Sequence, residues 1–248
     1  EMTANKQGYN VIISQSHDSY ENEVANAKAL YGSRIEGLIV SLAMESTNYD
    51  HFQKFLKKNI PVVFVDRVPD DINTTKVVIN NYEAGFKATQ HLIEQGCTRI
   101  AHIGGVRHRN VYKERMDGYV AALRQYDLTI DDNLIIESDR LSSEEGFRIA
   151  KYLLNLPERP DGIFSANDTA AVSLIKYAKS VGVDIPNDVA VIGFNNDPIS
   201  TIIDPPLSTI IHPAIEMGKL AATQVLNRED QTDIVKSQTI MLDTELIV

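Results

Sequence analysis

Asn167 and Asn195 each stand directly after a short apolar run, and their side chains offer one acceptor and one amide donor apiece. Such groups grip hydroxyls, amides and carboxylates; they do not break bonds. No constellation for catalysis accompanies them. The histidines (His17, His51, His91, His102, His108, His212) are scattered, with no pair at helical metal-ligand spacing and no cysteine partners. There is no phosphate loop, no dinucleotide fingerprint and no Gly-x-Ser-x-Gly elbow, and Gly104-Gly105 after a strand reads as a tight turn. The expectation is therefore a binding protein, not an enzyme, with no metal and no cofactor. The single cysteine, Cys97, cannot form an internal disulfide and reads as a small buried hydrophobe between a helix end and a strand.

The elements that must position these asparagines form one strand–helix–strand unit over residues 161–198. Residues 162–166 and 189–194 are apolar runs of strand length. Between them Ala171, Leu174, Ile175 and Ala178 recur at the spacing of one buried helix face. Asp168 or Thr169 is placed to cap that helix, Gly182 to end it and Pro186 to prevent its resumption. Strands joined through a helix are parallel, so both end on one edge of the sheet. Ligands of open parallel sheets sit outside those carboxyl ends. Asn and Asp are also common turn and cap residues. For Asp168 the cap reading is favoured; for Asn167 and Asn195, ligand contact.

The same rhythm runs through the rest of the chain. Residues 1–7 read as the last turns of a helix stopped by Gly8, and 9–14 as a strand, so the sequence is expected to start partway through a strand–helix unit. Helices are expected over 21–31, 51–58, 84–94, 114–124 and 214–226, and strands over 37–41, 61–65, 76–79, 99–103, 134–137 and 238–242. Ser142 and Glu145 have capping-box spacing ahead of Phe147, Ala150, Leu153 and Leu154. Pro205-Pro206 forbids helix, so 203–210 is read as an extended crossover. This alternation makes an α/β doubly wound architecture. The restart at Asn80 and the late crossover suggest two lobes, 1–79 plus 205–232 and 80–204 plus 233–248, with a ligand cleft between them.

Composition narrows the partners. The chain has 248 residues, 34 acidic against 24 basic, for a net charge of −10. A chain of this charge does not by itself grip nucleic acid. No apolar run approaches the length of a membrane span and no signal peptide opens the sequence, so a cytoplasmic location without a membrane partner is expected. The Asn-x-Thr triplets at Asn73 and Asn167 are then accidental.

Several short runs carry a resemblance. They are residues 63–67 (VFVDR), 78–85 (VINNYEAG), 91–96 (HLIEQG), 99–105 (RIAHIGG), 115–119 (RMDGY), 166–168 (AND), 191–196 (VIGFNN) and 205–210 (PPLSTI). In this order and spacing the chain resembles, over nearly its whole length, the effector-binding domain of lactose-repressor (LacI/GalR) type bacterial transcription regulators. The resemblance implies a two-lobed, type I periplasmic-binding-protein-like fold with a parallel doubly wound sheet in each lobe. It implies a homodimer that closes on a small polar metabolite, usually a sugar or nucleobase, and controls operator DNA through an N-terminal helix-turn-helix.

By motif, Asp66 and Arg67 would face the ligand from the first lobe, and Arg115, Arg109, Val111, Leu141, Asn167 and Asn195 from the second. Arg67 and Arg109 could equally be solvated rim charges, and Arg115 a structural ion-pair partner of Asp117 or Asp168. Arg115→Ala is expected to abolish effector binding and leave the fold intact.

Four departures from the family pattern stand out. The helix-turn-helix and the first strand do not occur in this sequence. Asn195 replaces an expected acid, and Leu141 replaces a residue often aromatic. With Arg107, His108, Arg109 and Lys113 on one loop, this hints at an anionic effector. The alternative is a sugar-binding protein of an ABC-type transporter, which shares the lobes.

Overall fold

Strands and helices alternate along the chain in the computed structural model, which describes residues 1–226 and 237–248. In order they are α1 (Met2–Lys6), α2 (Tyr20–Gly32), β1 (Leu38–Val40), α3 (Asp50–Lys57), β2 (Val62–Val65), β3 (Thr75–Ile79), α4 (Asn81–Glu94), β4 (Ile100–Gly104), α5 (Asn110–Gln125), β5 (Ile135–Glu137), α6 (Ser143–Leu154), β6 (Gly162–Ser165), α7 (Asp168–Ser180), β7 (Ala190–Ile192), α8 (Ile199–Ile202), β8 (Thr209–Ile210), α9 (Ala214–Leu226), β9 (Thr239–Leu242) and β10 (Leu246–Ile247). Two compact units divide them: unit 1 holds residues 1–79 and 213–242, and unit 2 holds 80–212 and 243–248.

Unit 1 is built on a parallel sheet in the order β1-β2-β3-β9. Its strands are short apolar runs, and Phe52 and Phe55 of α3 sit in the core with Val62 and Phe64 of β2. Phe52 meets the Phe64 ring edge-on at 5.4 Å, the geometry aromatic quadrupoles prefer. Residues 9–14 differ from expectation. They join no strand ladder, and Ile12 and Ile13 are exposed. An apolar run becomes a strand only where a neighbouring strand pairs with its N–H and C=O groups, and no described strand does so here.

Unit 2 has a parallel sheet in the order β5-β4-β6-β7. Ile103 of β4 and Ile163 of β6 pack with Leu174 and Ile175 of α7 in its main core. The helices α4 and α5 meet backbone to backbone, because Gly85 and Gly118 present no side chains at the crossing. A Cβ on Gly118 would lie 2.1 Å from the carbonyl oxygen of Tyr82, and one on Gly85 would lie 2.2 Å from that of Arg115. Helix α5 begins at Asn110, four residues ahead of the expected 114, with Arg109 in extended conformation before it and its carbonyl accepting from Tyr112 and Lys113.

Ser142 caps α6 as the capping box requires, but Glu145 does not reach back to it. Its carboxylate instead accepts from Ser138 and Arg148. Cys97 is buried, and burial first, then the charge of Asp161, pushes its thiol up to about 11.

The division between the units departs from the expected boundaries. Residues 205–212 stay with unit 2, because β8 pairs antiparallel with β10 and Ser208 and Ile211 bridge to Ile192 and Asn195. The strand β9, expected in the second lobe, belongs to unit 1, where Lys76 to Ile79 register against Thr239 to Leu242. The expected boundary at 232/233 lies outside the described residues.

Candidate functional site

In unit 2 the carboxyl ends of β4, β6 and β7 bring most of the expected residues together. Asn167 follows β6 and is itself the N-cap of α7: its Oδ1 accepts from the Ala170 amide at 2.9 Å. The cap was expected at Asp168 or Thr169. It falls one residue earlier because Asn167 is the residue with extended backbone (φ −154°, ψ 161°), whereas Asp168 is already helical. The Asn167 amide donates to the Leu141 carbonyl oxygen at 2.9 Å, which fixes the loop before α6. Leu141 itself packs against the core of unit 2.

Arg115 projects from α5 and is 4% exposed. Its Nε donates to Asn81 Oδ1 and its Nη1 to the Ala166 carbonyl oxygen, both at 2.9 Å. Its guanidinium carbon lies 3.5 Å from the centroid of the Phe194 ring, an arrangement that favours a cation over a π face. The expected acidic partners are engaged elsewhere, since Asp117 pairs with Lys113 and Asp168 takes other donors. Arg115 thus ties α4, the end of β6 and the end of β7 to one fixed positive charge.

Arg109 is 1% exposed, which overturns the rim-charge alternative for it, and Val111 is buried in the first turn of α5. On β4, His102 stacks between Tyr119 and Phe164 and hydrogen-bonds the Phe164 carbonyl oxygen through Nδ1. Burial, reinforced by the charges of Arg115 and Arg107, holds this imidazole neutral and pushes it down to about 3.

Asn195 ends the β7 segment with φ +116° and Asn196 follows with φ +58°, values that short polar side chains tolerate better than most. The Asn195 amide donates to Ile210 O at 2.9 Å, its carbonyl oxygen accepts from His212 N at 3.2 Å, and its side chain approaches Asp197 Oδ2 at 3.4 Å.

Asp168, read from sequence chiefly as a cap, is the residue that organises this turn. It is fully buried. Its Oδ1 accepts from Thr209 Oγ1 and its Oδ2 from the Asp197 amide, both at 2.7 Å, and the Phe194 amide bonds to it as well. Burial pushes its carboxyl up to about 6, against the pull of the Thr209, Asp197 and Phe194 donors and with the help of the Asp197 charge. Its partners lie 29 and 41 residues away, so no local spacing could reveal it.

The basic loop is partly matched by acids. Arg107 pairs with Glu137 and Lys113 with Asp117, which reduces the positive charge that hinted at an anionic ligand.

In unit 1, Asp66 takes φ +59° at the end of β2 and donates its amide to Val77 O. Arg67 forms an ion pair with Asp18 at 2.6 Å and donates from Nε to Ser41 Oγ at 3.4 Å. The loop after β1 is held by Glu23, a buried residue that sequence pattern did not mark. Its carboxylate accepts from the Ala43 amide, Ser46 Oγ and His51 Nε2. Burial alone would push this carboxyl up, but those three bonds outweigh it and leave it below its ordinary range. Among the described residues no three His, Cys, Asp or Glu side chains cluster as a metal site, and no helix is long and apolar enough to cross a membrane.

A family model described as a periplasmic binding protein-like domain matches residues 89–248. The HTH-type transcriptional repressor PurR of Vibrio atlanticus is 31% identical over 92% of this chain and 68% of its own length. Among solved structures, transcription regulator CcpA of Lactococcus lactis superposes with a TM-score of 0.89 at 26% identity, covering 100% of this chain and 89% of that one. A transcriptional regulator CelR–cellobiose complex superposes with a TM-score of 0.87 at 25% identity, covering 100% of this chain and 75% of that one. These proteins regulate transcription, which overturns the transporter alternative and fits a chain without catalytic function.

Proposed function

The chain belongs to the lactose-repressor family of transcription regulators, and on that premise we propose that it senses a small polar metabolite, a sugar or sugar derivative. The observation that carries this reading is the gathering of Arg115, Asn167 and Asn195 at the carboxyl ends of the unit 2 strands, with the Arg115 charge held rigid by Asn81, Ala166 and Phe194. A fixed fork of donors beside amide side chains suits vicinal hydroxyls. Arg109, Val111 and Leu141 are the further candidate contacts of unit 2; Asp66 and Arg67, taken by themselves, are the candidates of unit 1. Cellobiose in the CelR complex supports the sugar class.

In this reading the protein is a cytoplasmic homodimer. Its effector shifts the population between forms of higher and lower affinity for operator DNA. DNA binding itself is assigned to an N-terminal helix-turn-helix of the kind the family resemblance implies.

A thermal-shift panel of neutral sugars, sugar phosphates, sugar acids and nucleobases tests the proposal. A true effector at about a hundred times its dissociation constant adds about 2.7 kcal/mol, a rise in melting midpoint on the order of 5–10 °C. A response confined to one class names the chemistry. No response from any class in a cooperatively melting sample overturns the sugar reading.

A further inference from the structure

Asp168 sits at the meeting of two segments distant in sequence. Through its Oδ2 and the Phe194 amide it holds the 194–197 turn; through its Oδ1 it holds Thr209 of β8. The Thr209 hydroxyl in turn accepts from the Asn196 amide at 3.3 Å, closing a ring of bonds around one carboxyl group. The same turn is bonded to the same strand a second time, through Asn195 N to Ile210 O and His212 N to Asn195 O. After His212 the chain leaves unit 2 for unit 1.

There is no room for the carboxyl group to relax toward β7. A Cβ on Gly193 would lie 2.2 Å from Asp168 Oδ1, so glycine at that position is what lets the side chain in. A buried carboxyl is costly unless its oxygens are met, and here the donors come from both segments at once.

We propose that Asp168 is a positioning residue that locks the 194–197 turn to residues 209–212, so that a displacement at Asn195 is passed directly to the segment by which the chain leaves unit 2. The functional meaning rests on the reading of Asn195 as an effector contact; the lock itself does not. Opening the lock returns the carboxyl to water, where it ionises at its ordinary value of 3.8; closed, it ionises at about 6. Opening therefore releases a proton between those values, and the lock is tightest below 3.8 and loosens as pH rises to 6. Asp197 is the charged neighbour on the turn, Arg115 faces Phe194 from α5, His212 follows β8, and α8 carries no ionisable side chain.

Amide hydrogen exchange on the full chain tests this without any ligand. Asp168→Ala is expected to speed exchange at least tenfold at 194–197 and at 209–212 together, leaving β4 and β6 amides protected. In the wild type, protection at both segments, corrected for intrinsic rates, is expected to fall together as pH rises from 4 to 6 and to level off above. Asp168→Asn is expected to abolish that step. Should Asp168→Ala fail to fold, Asp168→Asn and Thr209→Val carry the comparison, and Thr209→Val is expected to loosen both segments.

Loosening of 194–197 with 209–212 unchanged overturns the lock, as does a pH step that survives in Asp168→Asn. A chain that answers none of the metabolite panel overturns the functional reading and leaves this result untouched.

Discussion

The guanidinium of Arg115 lies 3.5 Å from the centre of the Phe194 ring while its Nε and Nη1 hold Asn81 and the Ala166 carbonyl. A residue read from sequence as a ligand arm, or else as an ion-pair partner of Asp117 or Asp168, is thus a joint of the fold.

Arg115→Ala is consequently expected to destabilise the protein, not merely to lose binding. Two buried acceptors would lose their donor and the ring its cation, for about 3 kcal/mol or more in all. Arg115→Lys, which keeps the charge but not the fork, should fall between alanine and wild type. Urea denaturation midpoints at constant slope check both.

Asp168 and His102 make opposing contributions to the pH dependence of stability. Asp168 has its folded value raised from 3.8 to about 6, so its contribution is full below 3.8 and is lost as pH rises through 6. His102 has its folded value lowered from 6.5 to about 3, so its contribution is full above 6.5 and is lost as pH falls toward 3. Each changes stability by about 1.4 kcal/mol per pH unit, and between pH 4.5 and 6 they oppose one another. In the wild type these two slopes offset one another across that window. Asp168→Asn removes one of the two, and its unfolding free energy should fall by about 2 kcal/mol from pH 6 to 4.5. Denaturant titrations at pH 4.5, 5.2 and 6 read the difference; parallel profiles for the two proteins would refute it.

Gly118→Ala should cost about 2 kcal/mol or more, because the added methyl meets the Tyr82 carbonyl and the Phe86 amide of α4, and neither backbone can yield without parting the helices. Gly218→Ala in α9 meets nothing within 4 Å and should stabilise by about 0.5–1 kcal/mol. Melting temperatures of the two variants should move in opposite directions.

Asn167→Ala tests the cap assignment. Losing the bond to the Ala170 amide should cost about 1 kcal/mol, with a further loss from the freed Leu141 carbonyl. Thr169→Ala should stay within about 0.5 kcal/mol if Thr169 plays no part in the cap. Equal losses at the two positions would return the cap to the site first expected.

Much of the fold was legible because its signals are local. Leu174, Ile175 and Ala178 on α7, the glycine after it and the polar stop after each strand sit within one element, where spacing alone reports burial. What escaped was made at a distance. The donors to Asp168, and the Ala43, Ser46 and His51 groups around Glu23, are brought in by the topology from twenty or more residues away. Residues 9–14 show the converse error: their apolar run satisfies every local criterion for a strand, yet strand formation depends on a neighbour that local pattern does not contain. The site divides the same way. Position after a strand pointed to Asn195, but its φ of +116° and its ties to Ile210 and His212 are products of the assembled unit.

The pairing of β3 with β9 bears on the order of synthesis. Residues 75–79 leave the ribosome long before 239–242, and the whole first stretch of unit 2 is translated in the interval. Unit 1 therefore begins life with one margin of its sheet bare and reaches its full set of ladders only after residues 80–212 of unit 2 have been made. A nascent chain halted anywhere between residues 80 and 238 would expose that margin to other chains. Translation speed and chaperone access over this interval then bear on the yield of folded protein.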